Sequence, residues 1–277
     1  MSTLTDNPAV SAEALEALIQ RYDEPEWLAR ERRAALRTFQ ERAWPTSRDE
    51  EWRYSQLSRF DMTGLELAGE PASTAVPDRI TMRVTDSDAE GVLVHKGTAV
   101  VKRDVRVSQP GVIFTDLRTA ISEHPELVKE HLYAVVNAHQ TKFAALNSAF
   151  WENGTFVYVP RDTEVALPLG AFTTEDKGGL ANGRTLVVVD RNASLTYLDE
   201  FTSDPFDERV FYNSATEIVL MDGAKLRYVN LQNWSRNVTH INRLRANLGR
   251  DSRLESLTVS LGADASRTEV ECVLQGP

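Results

Sequence analysis

The chain of 277 residues contains one cysteine, Cys272. No internal disulfide can form, so an oxidising compartment gains no support. A basic surplus is missing too: 31 Lys and Arg stand against 41 Asp and Glu, a net charge of −10. Non-specific binding to nucleic acid or to acidic lipid needs the opposite sign, so neither is expected as a partner. No apolar run approaches the roughly 18 residues of a membrane span. The first residues, MSTLTDNPAVSAEALEALIQRYD, lack the basic start and apolar stretch of a secretory signal. The expectation is a soluble, cytoplasmic protein, in which the Asn192 and Asn237 glycosylation patterns carry no meaning.

The common catalytic signatures are also missing. There is no P-loop, no G-x-G-x-x-G after a strand, no H-E-x-x-H, no C-x-x-C and no G-x-S-x-G. The histidines are His95, His124, His131, His139 and His240. His131 and His139 lie eight residues apart, too far to share a metal on one helix face. Surface or cap positions are expected for histidine. His124 precedes Pro125 and is placed at a helix start.

What is present divides into two regions. Residues 1–63 read as helical. In DEPEWLARERRAALRTFQERAW, Asp23 is the expected N-cap, with Pro25 in the first turn and Glu26 three residues on. Leu28, Ala35 and Phe39 form an apolar stripe flanked by Leu36 and Ala43. Trp44-Pro45 is expected to end this helix. In PTSRDEEWRYSQL (45–57), Ser47 and Glu50 satisfy the capping-box rule for a new helix. Asp49 and Glu50 would lie near its positive dipole end, and Trp52 and Tyr54 are expected to pack.

Residues 64–277 read mainly as β-structure. ITMRV (80–84), GVLVH (91–95) and AVVKRDVRV (99–107) look like strands. A helical interlude occupies about 122–150, with Leu132, Val135, Val136, Phe143 and Leu146 on its apolar side and a break near Asn137. From residue 154 onward the pattern repeats. A turn-forming residue precedes an apolar one at Val165, Leu195, Leu226 and Leu254, at spacings of 30, 31 and 28 residues. Near-constant spacing of β-segments predicts a β-solenoid, each coil burying its inner face against the next. Such a stack needs covered ends. The chain stops at EVECVLQGP, so the stack is expected to continue past residue 277 or to meet a partner there. Val270, Cys272 and Leu274 alternate onto one face, and Cys272 is expected to be buried as a small apolar group, the alternative being an exposed thiolate ligand or sulfur acceptor.

Acids recur at the coil turns: Asp162, Asp190, Asp222 and Asp251. They fit turn chemistry, in which Asp and Asn tolerate left-handed backbone. They also leave open calcium binding by stacked carboxylates, or a carbohydrate hydrolase or lyase working with paired acids such as Asp190 and Asp222. The amide-rich LQNWSRNVTH (231–240) would line a groove or form a ladder between coils.

Four stretches, in order, resemble the SufB/SufD family. They are PTSRDEEWRYSQL, KFAALNSAFWENGTFVYVPRDTEVALPL (142–169), LRYVNLQNWSRNV and RLRANLGRDSRLESLTVSLG. The matching motif positions are Asp49, Glu50, Trp52, Arg53 and Tyr54; Phe143, Asn147 and Phe150; and Gln232 and Trp234. These are most simply structural. The D-E-E-W-R-Y run points to the SufD branch. The resemblance implies a right-handed parallel β-helix preceded by a helical region, in the N-terminal part of a longer protein. It implies a scaffold subunit with no turnover of its own, acting in iron–sulfur cluster assembly and transfer to apo-proteins. The implied partners are SufB-like and SufC-like (ATPase) subunits, with a homodimer also open. No cofactor is assigned to this chain. Iron or a cluster would be held only at an interface of the full-length complex, and no ligand transfers to a position here.

Overall fold

The computed structural model describes residues 4–85 and 88–275. Of the expected regions, residues 1–3, 86–87 and 276–277 lie outside the described residues.

The helical region opens with α1 (Ala12–Arg21), where the Ser11 side chain accepts the Ala14 N–H as an N-cap. Its buried face is Leu15, Leu18 and Ile19. The second helix, α2 (Glu26–Glu41), buries Leu28, Ala35, Leu36 and Phe39 as the stripe predicts. Asp23 is not its cap. Pro25 holds that position without a side-chain bond, and Asp23 takes φ 45° in the turn between the helices. The helix also stops before Trp44-Pro45. Arg42 leaves helical geometry and donates to the carbonyls of His139 and Gln140, both at 2.8 Å, leaving Ala43 exposed.

No α-helix starts at Ser47. The Asp49 carboxylate instead accepts the Thr46 N–H at 2.7 Å and the Thr46 hydroxyl at 3.1 Å. That local bond competes with a capping box, and only short 3₁₀ turns follow at Glu50–Trp52 and Leu57–Phe60. Trp52 is buried against Phe60 and Phe143, at ring distances of 5.4 and 5.6 Å, with the Arg267 guanidinium 4.2 Å over its ring. Tyr54 does not pack; it is 93% exposed.

ITMRV is helical, not extended: it lies in α3 (Asp78–Thr85). Ile80 and Val84 are buried one helical turn apart, whereas Met82 is 65% exposed. A five-residue apolar alternation fits both periods. Here Pro77 and Asp78 supply a helix start, and Arg79 anchors the helix through the Ser203 carbonyl at 2.8 Å.

The β-structure begins with β1 (Gly91–Lys96) and β2 (Ala99–Val105), an antiparallel hairpin, then β3 (Ile113–Asp116). The interlude is three helices: α4 (Leu117–Glu123), α5 (Pro125–His131) and α6 (Lys142–Phe150). Pro125 lies in the first turn of α5, with His124 at its N-cap. All five interlude positions named above are buried.

Then come β4 (Thr155–Val159), β5 (Leu169–Thr174), β6 (Gly179–Val189), β7 (Ser194–Thr202), β8 (Val210–Leu220), β9 (Lys225–Asn233), β10 (Val238–Leu248), β11 (Arg253–Ser260) and β12 (Ala265–Leu274). They alternate between two six-stranded sheets, ordered β11-β9-β7-β5-β1-β2 and β12-β10-β8-β6-β4-β3. Pairing from β4 onward is parallel, the geometry of a β-solenoid. At the first coil, β2 and β3 pair antiparallel to β1 and β4 and break the parallel repeat.

The repeat positions stack as the spacing predicts. Leu195 is in register with Leu226, and Leu226 with Leu254. Val165 precedes them, its N–H bonded to the Ser194 carbonyl at 2.9 Å. The turn residue three positions before each takes left-handed backbone: Asp162, Asn192, Gly223 and Asp251, at φ 58°, 59°, 71° and 57°. Leu93, Val157, Val187, Ile218 and Leu244 fill one half of the lumen with them. Cys272 breaks the expected pattern: it is exposed on the edge strand β12, with Val270 50% and Leu274 77% exposed beside it. Alternation identifies a shared face, but burial requires something packed on that face.

Candidate functional site

A cleft of about 550 Å³ opens between the 42–52 segment, the start of α6 and strands of the second sheet. Thr141 creates one wall by capping α6, its hydroxyl accepting the Ala144 N–H at 3.0 Å. Lys142 and Phe143 therefore begin the helix at the cleft. The Lys142 ammonium donates to the Arg42 carbonyl at 2.7 Å, pairs with Asp6 at 3.1 Å, and lies 4.7 Å over the Trp44 ring. Trp44, Phe143 and Ile241 give the cleft apolar lining. Arg243 on β10 is engaged by Glu269 and, at 3.3 Å, by Glu271. Glu50 and Glu51 lie exposed on the opposite lip; among the described residues no ion pair is seen to either. The cleft thus has an apolar floor, internally committed cations and an acidic lip, a shape suited to holding a side chain of another chain.

Two of the sequence motifs meet here. Asp49, Glu50 and Trp52 face Phe143 and Asn147 across the cleft, although about ninety residues separate the two segments. Asn147 is the pin beneath it. Its amide donates to the carbonyls of Gly183 and Asn213 at 2.8 and 2.9 Å, and its oxygen accepts from Arg184 at 2.8 Å. Phe150 is buried in the same apolar cluster. Arg53 and Tyr54 point away into solvent. Gln232 and Trp234 are elsewhere: Gln232 donates to the Gly262 carbonyl at 3.1 Å, and Trp234 packs against Tyr212 at 5.1 Å.

One lining residue belongs to a serine–histidine pair. Ser214 Oγ lies 2.9 Å from His240 Nε2, with Asn242 Oδ1 at 3.0 Å from the same hydroxyl. Both Ser214 and His240 are buried, and burial pushes the imidazole down to about 3. A general base works best near the operating pH, so this pair is suited to packing rather than proton abstraction. His95 is similarly buried and pushed down to about 4, first by burial. His131 is buried as well, so three histidines leave the surface expected for them. Among the described residues, no group of three or more His, Cys, Asp or Glu is arranged to hold a metal ion.

The turn acids serve the backbone and each other's coils. Asp162 accepts from the Asn192 amide at 2.9 Å, Asp190 accepts the Arg191 N–H at 2.6 Å, and Asp222 accepts the Arg250 N–H at 3.0 Å. These bonds are what turn chemistry requires and give no reason to assign Asp190 and Asp222 to sugar cleavage. No Asn/Gln ladder forms within the 231–240 stretch among the described residues: the Gln232 and Asn237 amides donate instead to the backbone carbonyls of Gly262 and Glu208 on neighbouring coils.

The sequence reading missed the ionic groups beneath the cleft and the acids inside the solenoid. Arg184 and Glu217 form a fully buried pair at 2.6 Å. Asp199 and Glu175 are buried, and burial pushes them up to about 7 and about 8 respectively. Asp199 had a signal. In SLTYLDEFT the inward period of two runs Leu195, Tyr197, Asp199, Phe201, placing the acid inside.

Comparison with known proteins covers nearly all of the chain. The family model described as SufBD protein N-terminal region matches residues 13–170, and that described as SUF system FeS cluster assembly, SufBD core domain matches residues 172–277. An iron-sulfur cluster assembly SufBD family protein of Staphylococcus haemolyticus (strain JCSC1435) is 29% identical over 272 residues, covering 92% of this chain and 57% of the relative. Counterparts in Staphylococcus epidermidis (strain ATCC 35984) and Staphylococcus aureus (strain MRSA252) are 28% and 29% identical, with the same coverage of each chain. The chain thus spans 57% of the length of these curated relatives.

Proposed function

The chain belongs to the SufBD family, and from that premise we propose that it is the solenoid-bearing part of a scaffold subunit in iron–sulfur cluster assembly. The observation that carries this reading is the match of both family regions, in order, the first over the helical segment and the opening strands and the second over the remaining coils. The cluster is the cargo of such a system, held at an interface with another subunit and passed to apo-proteins. The chain itself supplies a rigid stack and a lipped cleft rather than a turnover centre. The Asp49-Glu50-Glu51-Trp52-Arg53-Tyr54 run supports the SufD type within the family. Its partners are then SufB-like and SufC-like subunits, and its compartment is the cytoplasm. No helix among the described residues is long and apolar enough to cross a membrane.

Affinity purification of the full-length protein tests the reading. Stoichiometric recovery of a SufB-like subunit and a SufC-like ATPase is the expected result. A full-length protein that retains neither, under conditions where the two partners still bind each other, overturns it.

A further inference from the structure

The lumen of the solenoid has two unlike halves. One is the aliphatic column already described. The other is polar and buried, and the Tyr197 and Tyr228 rings join it to that column. Tyr197 on β7 and Tyr228 on β9 are in register, their rings 6.0 Å apart. The Tyr228 hydroxyl meets Asp199 Oδ2 at 3.2 Å. Thr185 and Thr216 are in register on the second sheet; Thr185 interacts with Tyr197 and Asp199, and Thr216 with Tyr228. Thr155 on β4 extends the group to His95, whose Nε2 is 3.0 Å from the threonine hydroxyl. Tyr197, Tyr228, Asp199, His95, Thr155 and Thr216 are each at most 1% exposed.

Several of these buried groups are not satisfied by protein. The Tyr197 hydroxyl, Thr216 Oγ1 and His95 Nδ1 have no hydrogen-bond partner among the described residues. The Tyr197 hydroxyl interacts with Thr155 and Thr185, and Thr216 with Tyr228, but without bonding geometry. A buried hydroxyl left without a partner costs free energy, and native proteins satisfy such groups with internal water, each molecule bridging about three polar atoms.

We propose that the polar half of the lumen is a hydration site, in which internal water molecules bridge Tyr197, Thr216 and the Asp199 carboxyl between the two sheets. This inference does not depend on the assembly reading. Its second feature is the state of Asp199. The groups facing the carboxyl are Tyr228 and Thr185, with Tyr197 and, more distantly, Tyr212; no Lys or Arg pairs with it among the described residues. Burial without a cation favours the neutral acid, in keeping with a carboxyl pushed up to about 7. The neutral acid is both donor and acceptor, so it can close a chain of waters that a carboxylate could only receive from.

The test compares Tyr197→Phe, Thr216→Val and Asp199→Asn with the parent in the full chain. Two readouts are needed: denaturant unfolding, and the number of long-lived internal waters from ¹⁷O magnetic relaxation dispersion. In a hydrated lumen, Tyr197→Phe and Thr216→Val each raise the unfolding equilibrium constant about fivefold, the effect of one ordinary hydrogen bond. Each also removes long-lived water. In a dry lumen the orphan hydroxyl is a liability, so its removal leaves stability unchanged or improved and no water is lost. That result overturns the proposal, as does lost stability without lost water. For Asp199 the sign is fixed by linkage. The native state keeps a proton that the unfolded chain releases above the ordinary carboxylate range. This contribution is therefore full below about pH 4 and is lost as pH rises toward 7. Asp199→Asn removes about one proton from that slope, while His95 and His240, pushed down and opposite in sign, remain as background in both proteins. An unchanged slope contradicts the neutral-acid assignment.

Discussion

Replacing Glu217 by alanine is expected to lower the stability of the protein by about 3–5 kcal/mol, the cost of breaking a buried ion pair from one side. The change is read as a lower denaturant midpoint at constant m. Glu217 has no exposed surface. Its Oε1 accepts from Arg184 Nε at 2.9 Å and from the Tyr133 N–H at 3.0 Å; its Oε2 accepts the N–H groups of Val135 and Val136, both at 2.9 Å. One carboxylate thus ties the loop between α5 and α6 to the wall of the solenoid. Alanine leaves Arg184 charged and unpaired, also without exposed surface, and orphans three backbone donors. The double variant Arg184→Met, Glu217→Leu is expected to cost less than Glu217→Ala alone, because it removes the stranded charge. Equal or greater loss in the double variant would show that loop anchoring, not the buried charge, dominates.

The second large effect is expected at Gly154, where the chain passes from α6 into β4. Its φ is 155°, and a Cβ there would lie 1.7 Å from the Arg184 carbonyl oxygen. The obstacle is backbone of a central strand, so it cannot swing aside as a side-chain end would. The Gly154 carbonyl also accepts the Leu117 N–H at 2.9 Å, so a shift would pull on α4. Gly154→Ala is expected to cost on the order of 3 kcal/mol through strain and displaced packing. Gly69→Ala, where nothing lies within 4 Å of the added carbon, is the matched control and should be nearly neutral.

Periodicity was the readable part of this fold. Spacing alone located Val165, Leu195, Leu226 and Leu254 on successive coils, because a stack forces equivalent inner positions into register. It located α2 and the interlude for the same reason: a buried stripe leaves a trace at helical period. Short segments were less legible. ITMRV satisfies both periods, and only the start signals at Pro77 and Asp78 distinguish its helix. The Ser47–Glu50 box failed because Asp49 found a nearer donor in Thr46, a competition that a four-residue pattern does not contain. Cys272 was misplaced because alternation describes a strand and not what covers it. The cleft could not be read at all. It is made by residues 42–52 and 140–147 meeting through tertiary packing, and no local pattern reports that Trp52 and Phe143 lie 5.6 Å apart. The polar lumen was partly legible, since Tyr197 and Asp199 share the inward register of Leu195.

A scaffold role is tested by cluster delivery from the full-length assembly. An acceptor apo-protein is incubated with iron, a sulfur source, ATP and the SufB-like and SufC-like subunits, with and without the full-length form of this chain. Cluster content is then read from the acceptor's visible absorption and electron paramagnetic resonance after reduction. Omitting this subunit is expected to drop cluster content to background, and adding it back to restore it. Undiminished cluster content in its absence would contradict a scaffold role.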